Sequence, residues 1–188
     1  MKKILPFAAA ATLAVFGMGC NPSPAPAPSN NGGQMNLLEM KYDACQLLTK
    51  ADAEATLHGT VKDPLRNVSQ TADGKTTVSD CTYSQPLPAG STDISKIGTA
   101  GLLIRKAASQ AEADKVFTDA MNQSKTLSGV DAVAISNLGD RAYWAGGSLT
   151  QMNVLKGDAW YIVNVNLPGG NAEQAALDLA KTVIGKIN

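Results

Sequence analysis

The sequence predicts an α+β fold, in which an antiparallel sheet of about five strands carries helices packed on one face. Three observations lead to this class. The predicted elements follow the order helix, strands, helix, hairpin strands, helix, which favours an antiparallel sheet. Residues 160–167 alternate apolar and polar side chains, as a half-buried strand does. Residues 176–187 repeat apolar side chains at helical spacing, so the last helix must pack on the sheet.

The first predicted helix follows Thr49, which is placed to cap its amino end, and Asp52 adds negative charge to the first turn. Gly59 ends this helix. His58, the only histidine, lies in the last turn. We interpret it as a helix-end residue, because it has no second His or Cys with which to form a metal site.

The middle of the chain predicts two short strands and a second helix. Residues 60–80 are polar and weakly patterned, and Asp73-Gly74 is predicted to form a turn. Strands are predicted at 81–84 and 100–104. Ser109 and Glu112 form a capping box, so the second helix begins at this point.

The carboxyl-terminal part predicts a hairpin and the last helix. Residues 138–144 combine a turn with an aromatic strand, and the next apolar run covers 149–155. The tripeptide 156–158 is a hairpin turn that leads into the alternating strand 160–167. Asn171 then caps the final helix.

The amino terminus predicts an exported lipoprotein. Lys2 and Lys3 precede the uncharged stretch 4–16, and together they have the pattern of a signal peptide over residues 1–19. Small residues lead into Cys20, which resembles the bacterial lipobox, in which the cysteine carries acyl chains such as palmitate and becomes the mature amino terminus. The alternative is ordinary signal cleavage that leaves a free thiol at Cys20.

Residues 20–35 are rich in Pro, Asn and Gly, which is typical of a tether that forms no core. We therefore expect a single globular domain over residues 36–188, anchored to a bacterial membrane by lipid. The residue after the lipidated cysteine is Asn21 rather than Asp. In a Gram-negative cell this favours the outer membrane, with the domain facing the periplasm.

Composition excludes several classes of function. Lys plus Arg and Asp plus Glu each number 16 among the 188 residues, so the chain lacks the basic excess of a nucleic-acid-binding domain. No apolar run reaches the roughly 18 to 20 residues of a membrane-spanning helix. One His and three Cys are too few for most zinc sites. The common phosphate-binding and hydrolase motifs are missing, and we predict no cofactor and no metal.

With Cys20 acylated, Cys45 and Cys81 remain, and thiols of an exported chain meet an oxidising compartment. We therefore expect these two cysteines to form a disulfide. The alternative is a redox or nucleophilic cysteine, which lacks support because neither residue belongs to a C-x-x-C motif.

Residues 44–57, which contain a Cys-Gln-Leu-Leu-Thr helix start, are followed by Cys81-Thr82-Tyr83 and later by a Leu-Gly-Asp-Arg-Ala segment at 138–142. With the lipobox and the tether, this series resembles a group of small bacterial lipoproteins that carry domain of unknown function 3558. The resemblance implies a disulfide between Cys45 and Cys81 and a compact α+β domain similar to the PsbP and Mog1 fold. It implies no established catalytic activity.

One place in the sequence brings charge and aromatic area together at a turn. Asp140 and Arg141 stand beside Tyr143 and Trp144, and a small ligand would find both polar and apolar contacts there. The alternative is that Asp140 makes the turn, Arg141 is solvated, and the two aromatic side chains pack the sheet.

These observations predict a lipid-anchored domain of the cell envelope that binds a protein or small-molecule partner and has no catalytic activity. The alternative is an envelope enzyme that uses carboxylate and tyrosine chemistry near Asp140 and Tyr143. A third reading is a structural spacer.

Overall fold

The computed structural model describes residues 40–187, which belong to one compact unit. The predicted signal peptide, residues 1–19, and the predicted tether, residues 20–35, lie outside the described residues. The predicted α+β class is confirmed, since helices pack on a single antiparallel sheet.

The helices are α1 (Ala44–Leu47), α2 (Lys50–Leu57), α3 (Gln110–Ser128) and α4 (Ala172–Gly185), with short 3-10 helices at Met40–Tyr42 and Ile94–Lys96. The strands are β1 (Leu65–Gln70), β2 (Thr77–Ser84), β3 (Thr99–Lys106), β4 (Val133–Ile135), β5 (Arg141–Ala145), β6 (Gln151–Lys156) and β7 (Ala159–Asn166). Across residues 40–187, no helix combines the length and the hydropathy of a membrane span.

The sheet has the strand order β1-β2-β3-β7-β6-β5-β4, and all neighbours are antiparallel. Two meanders therefore meet where β3 pairs with β7. The sheet has seven strands instead of the predicted five. The two additional strands are β1 and β4, which form its two edges. Nearly every β1 side chain is exposed, so its sequence shows no apolar alternation, and β4 is only three residues long.

The first face of the sheet carries the main core. Apolar side chains of β3, β6 and β7 on this face pack against α1, α2 and α4. Tyr161, Val163 and Val165 of β7 alternate in sequence and are all buried here, as the predicted alternation requires. α4 contributes Leu179 and Val183 to the same core.

The second face is covered by α3, and the expectation that all helices lie on one face is wrong. Phe117 of α3 packs in a separate cluster with Tyr143 and Leu155, and Trp160 lies against it. The physical reason is that β5 is apolar without alternation. Its consecutive side chains Tyr143 and Trp144 are both buried on opposite faces, so this part of the sheet needs cover on both sides.

Polar and covalent links fasten the amino-terminal helices to the sheet. Cys45 in α1 and Cys81 in β2 form a disulfide. Asp43 caps α1 by accepting a hydrogen bond from the Cys45 backbone N–H, and its carboxylate pairs with Arg66 of β1 at 2.7 Å. The Ala44 backbone N–H donates to Ser79 Oγ at 3.0 Å. Because Asp43 is almost fully buried, these contacts offset the cost of placing its charge inside the protein.

Two further polar links join distant parts of the chain. Lys186 Nζ, just after α4, donates to the Leu47 carbonyl at 2.8 Å and to Asp52 Oδ2 at 2.6 Å. Tyr42 Oη donates to Asp158 Oδ1 at 2.6 Å and so holds the start of the described chain against the β6–β7 turn. Tyr161 Oη reinforces this contact by donating to the Lys41 carbonyl.

Loss of the Cys45–Cys81 disulfide should lower the free energy of unfolding by about 3 to 4 kcal/mol, because the bridge closes a loop with a sequence separation of 36 residues. Urea denaturation of the double variant Cys45→Ala, Cys81→Ala measures this loss. Cys20→Ala is the matched control, since it removes a cysteine and leaves the bridge intact. An unchanged midpoint and slope in the double variant would contradict the prediction.

Candidate functional site

A cleft of about 400 Å³ opens between α3 and the segment that contains β4 and the β4–β5 loop. We call it the α3 cleft. It is lined by Phe117 and Met121 of α3 and by residues 134–142. Phe117 and Leu138 are buried and give the cleft an apolar interior, while Asp140 and Arg141 are exposed and supply polar groups. This combination of apolar and polar lining is typical of a binding site.

The β4–β5 loop keeps its shape through one glycine and one carboxylate. Gly139 has φ +62°, and a Cβ atom there would lie 2.6 Å from the Leu155 carbonyl oxygen, so only glycine fits. Asp140 Oδ2 accepts a hydrogen bond from the Gly157 backbone N–H at 2.7 Å. The Asp140 backbone N–H donates to the same Leu155 carbonyl. Asp140 therefore fixes the loop to the β6–β7 turn.

Arg141 is held over the aromatic ring that lies inside the cleft. Its Nη1 donates to Asp114 Oδ1 at 2.7 Å and to Thr118 Oγ1 at 2.9 Å, both on α3. Its guanidinium carbon lies 5.2 Å from the centre of the Phe117 ring. The side chain is 41% exposed. These two bonds use only one of its nitrogens, so the guanidinium keeps further donors for a ligand.

The four residues predicted to form one ligand site are only partly brought together. Asp140 and Arg141 line the α3 cleft. Tyr143 is buried beneath α3, with its ring edge-on to Phe117 at 5.0 Å, and Trp144 belongs to the main core on the opposite face. Neighbouring residues of a strand point to opposite faces, which separates these two aromatic side chains.

Burial also disfavours ionisation of the Tyr143 phenol. Its side chain lies in an apolar environment, and this burial raises the pKa of Tyr143 to about 12. The phenol is therefore neutral at neutral pH. It is a poor proton acceptor under those conditions.

Exposed apolar side chains also occur at the sheet edge that carries β4. Three large apolar side chains are exposed where α3 ends and β4 begins, namely Leu127 at 59%, Val130 at 44% and Val133 at 54%. We call them the edge patch. The sequence reading missed this patch, although the apolar run 132–135 is the signal that indicates a short strand there.

The opposite edge of the sheet differs in charge. β1 carries Arg66, and Lys62 and Asp63 precede it together with Pro64. Charges and proline are the usual means by which an edge strand avoids pairing with other chains. β4 itself has only Val, Ala and Ile. The β1 edge is therefore better protected against pairing with another chain than the β4 edge.

The residues that the structure describes show no metal-binding group of three or more His, Cys, Asp or Glu side chains. His58 is exposed and ends α2 in the left-handed conformation, with φ 54°. Its backbone N–H donates to the Glu54 carbonyl, so His58 takes the capping position that the sequence assigned to Gly59.

No model of a known protein family matches the chain, and no curated protein matches it in sequence. A solved structure does match, the extracellular domain of PknH from Mycobacterium tuberculosis, with a TM-score of 0.51. The match covers 77% of this chain and 94% of that chain, at 11% sequence identity. At this identity the likeness extends to the fold, so the chain shares its α+β architecture with a bacterial extracellular domain.

Proposed function

We propose that the protein is a lipid-anchored domain of the bacterial cell envelope that binds an extended segment of a partner protein and catalyses no reaction. The observation that carries the proposal is the meeting of three features at one sheet edge: the uncharged strand β4, the edge patch and the α3 cleft. We also propose that the chain belongs to the group of small lipoproteins that carry domain of unknown function 3558. The motifs at 44–57 and 138–142 support this assignment.

The backbone of β4 provides the first part of the binding surface. Among the described strands β4 pairs with β5 alone, so part of its backbone N–H and C=O groups face outward without a strand partner. An extended peptide that adds as an eighth strand satisfies these groups. β4 carries no charge that opposes such pairing, whereas β1 carries Arg66.

The side chains around β4 provide the second part. In an added strand, alternate residues point to the same face about 7 Å apart. A residue on the α3 side then enters the α3 cleft, which Ala134 of β4 lines, and apolar residues cover the edge patch. Arg141 at the cleft offers donors to a carboxylate or carbonyl of the partner.

Export and lipid anchoring have separate support. The Cys45–Cys81 disulfide is the kind of bond that persists in oxidising compartments. The lipobox-like sequence before Cys20 and the tether at 20–35 support lipid attachment at Cys20.

The enzymatic alternative relied on Asp140 and Tyr143 acting together. Asp140 is bonded to the β6–β7 turn, and Tyr143 lies under Phe117 and does not line the α3 cleft. The high pKa of Tyr143 reduces its value as a proton acceptor. These placements favour binding over acid–base chemistry, and the cleft favours binding over a spacer.

Intact-mass analysis of protein from the native membrane fraction tests the anchor. We expect acyl chains on Cys20, and alkylation of Cys45 and Cys81 only after reduction. Cys20→Ala is expected to move the protein to the soluble fraction. An unlipidated chain with a freely alkylated thiol would contradict the anchored reading.

Crosslinking in the cell envelope tests the partner surface. A photoreactive residue in place of Val133 should give one discrete adduct, and the same residue in place of Leu65 should give none. Leu65 is the matched control, because it is 75% exposed and lies on the other edge strand. Sequencing of the adduct identifies the partner segment.

The affinity of the domain for its partner is then measured with a synthetic peptide that has the sequence of that segment. Val133→Lys should weaken its binding about tenfold or more, because it gives β4 the kind of charge that protects β1. Leu65→Lys should leave binding unchanged. Equal crosslinking at both edges, or equal affinity of the Val133→Lys variant, would reject β4 as the binding edge.

The buried phenol predicts a pH dependence of stability. The pKa of Tyr143 rises from 10 to about 12 in the folded protein. Its contribution to stability is therefore complete below the unfolded pKa and is lost as the pH rises through the folded pKa. Tyr143→Phe should reduce the loss of unfolding free energy measured in urea between about pH 9 and 12. Burial raises the pKa of Tyr161 as well, so part of the loss should remain. An identical pH profile in the variant would contradict the assignment.

A further inference from the structure

A second recess lies between α2 and α4 and is distinct from the α3 cleft. It has a volume of about 540 Å³ and faces the side of the sheet that carries the main core. We call it the α2–α4 groove. It is lined by residues of α2, of α4 and of the segment 167–171 between β7 and α4.

The floor of the groove is aliphatic. Ala55 of α2, Leu167, and Ala175 and Leu179 of α4 line it. Leu179 is buried and Leu167 and Ala175 are half-buried, so these side chains present apolar surface to any occupant. Among the described residues that line the groove there is no Phe, Tyr or Trp, and His58 is the one with an aromatic ring, which leaves little ring surface for stacking ligands such as sugars or nucleobases.

Three hydrogen-bond donors on the rim are already used inside the protein. Thr56 Oγ1 donates to the Asp52 carbonyl at 2.8 Å, and Thr182 Oγ1 donates to the Asp178 carbonyl at 3.1 Å. Gln174 Nε2 donates to Asp178 Oδ2 at 2.9 Å. A hydroxyl that donates its proton keeps lone pairs that accept. These three side chains therefore offer mainly acceptors, while the imidazole of His58 and the side-chain amide of Asn171 also line the groove.

The two carboxylates of the rim differ in availability. Asp52 is occupied, because Lys186 Nζ lies 2.6 Å from its Oδ2 and the Thr49 backbone N–H and hydroxyl also donate to it. Asp178 is exposed, and its ion pair with Lys181 spans 3.4 Å between two exposed side chains. Such exposed pairs contribute little and exchange readily. The hydrogen bond from Gln174 holds the pKa of Asp178 below its usual range, so this carboxylate is charged at neutral pH.

We infer that the α2–α4 groove binds a small amphiphile with an aliphatic body and a protonated amine. The aliphatic body lies on Leu167, Ala175 and Leu179, and the ammonium donates to the Asp178 carboxylate and to the hydroxyl oxygens of the rim. The charge of Asp178 would repel a carboxylate ligand, and an alcohol would gain no charge pairing.

Titration of the isotopically labelled full-length chain with n-hexylammonium tests this inference by NMR. n-Hexanol and n-hexanoate are comparison probes with the same aliphatic body. We expect n-hexylammonium to shift the backbone signals of the groove residues and to bind about fivefold or more tightly than either comparison probe. Equal affinity for n-hexanol, or shifts that lie outside the groove, would overturn the inference.

Three variants complete the test. Asp178→Asn should weaken n-hexylammonium binding about fivefold or more, toward the affinity of n-hexanol. Asp119→Asn is the matched control, because Asp119 is another exposed helical carboxylate paired with a lysine, on α3, and its loss should leave binding unchanged. Ala175→Leu fills the floor and should abolish binding of the ammonium and of the alcohol. An Asp178→Asn variant that binds as well as the native chain would reject the role of this carboxylate. The outcome of this binding test does not depend on the outcome of the crosslinking test at Val133.

Discussion

Burial of β5 and β6 on both faces is the constraint on which the rest of the structure depends. Trp144 and Val154 point into the main core, while the neighbouring Tyr143 and Leu155 point toward Phe117 of α3. A strand in this position needs cover from both sides. α3 therefore crosses the second face on its way from β3, in the middle of the sheet, to β4 at its edge. The α3 cleft and the edge patch lie at the end of that crossing, so the candidate site is a product of how the sheet is covered.

The two halves of the sheet are stabilised by different kinds of interaction. β5, β6 and β7 are held by apolar packing on both faces, whose contribution scales with the buried area. β1 is nearly all exposed and contributes little to either apolar cluster. Its neighbourhood is fastened by the ion pair of Asp43 with Arg66 and by the Cys45–Cys81 disulfide in the adjoining strand. The β1 edge thus depends on charge and covalent linkage, whereas β5, β6 and β7 depend on packing.

Local patterns in the sequence predict the elements with the clearest signals and fail where tertiary context decides. The capping residues Thr49, Ser109 and Asn171 mark helix starts correctly, and the alternation of β7 is confirmed. The sequence does not predict β1, because an exposed strand has no apolar period. It does not predict that both faces of the sheet are covered either, because this depends on which strands lie side by side. Of the candidate site, Asp140 and Arg141 are placed together, whereas the edge patch joins α3 to β4 and needs the three-dimensional structure.

The disulfide has a mechanical consequence for a domain held by its amino end. A pulling force that enters at residue 40 reaches Cys45 within a few residues and passes through the covalent bridge to Cys81 in β2. The helix α2 and the strand β1 lie inside the bridged loop, so the covalent path through the disulfide bypasses their backbone. Force is instead transmitted along β2, whose hydrogen bonds to β3 must break together when they are loaded in parallel. The contact of Tyr42 with Asp158 lies before the bridge and yields first, as a weak link that leaves the sheet intact.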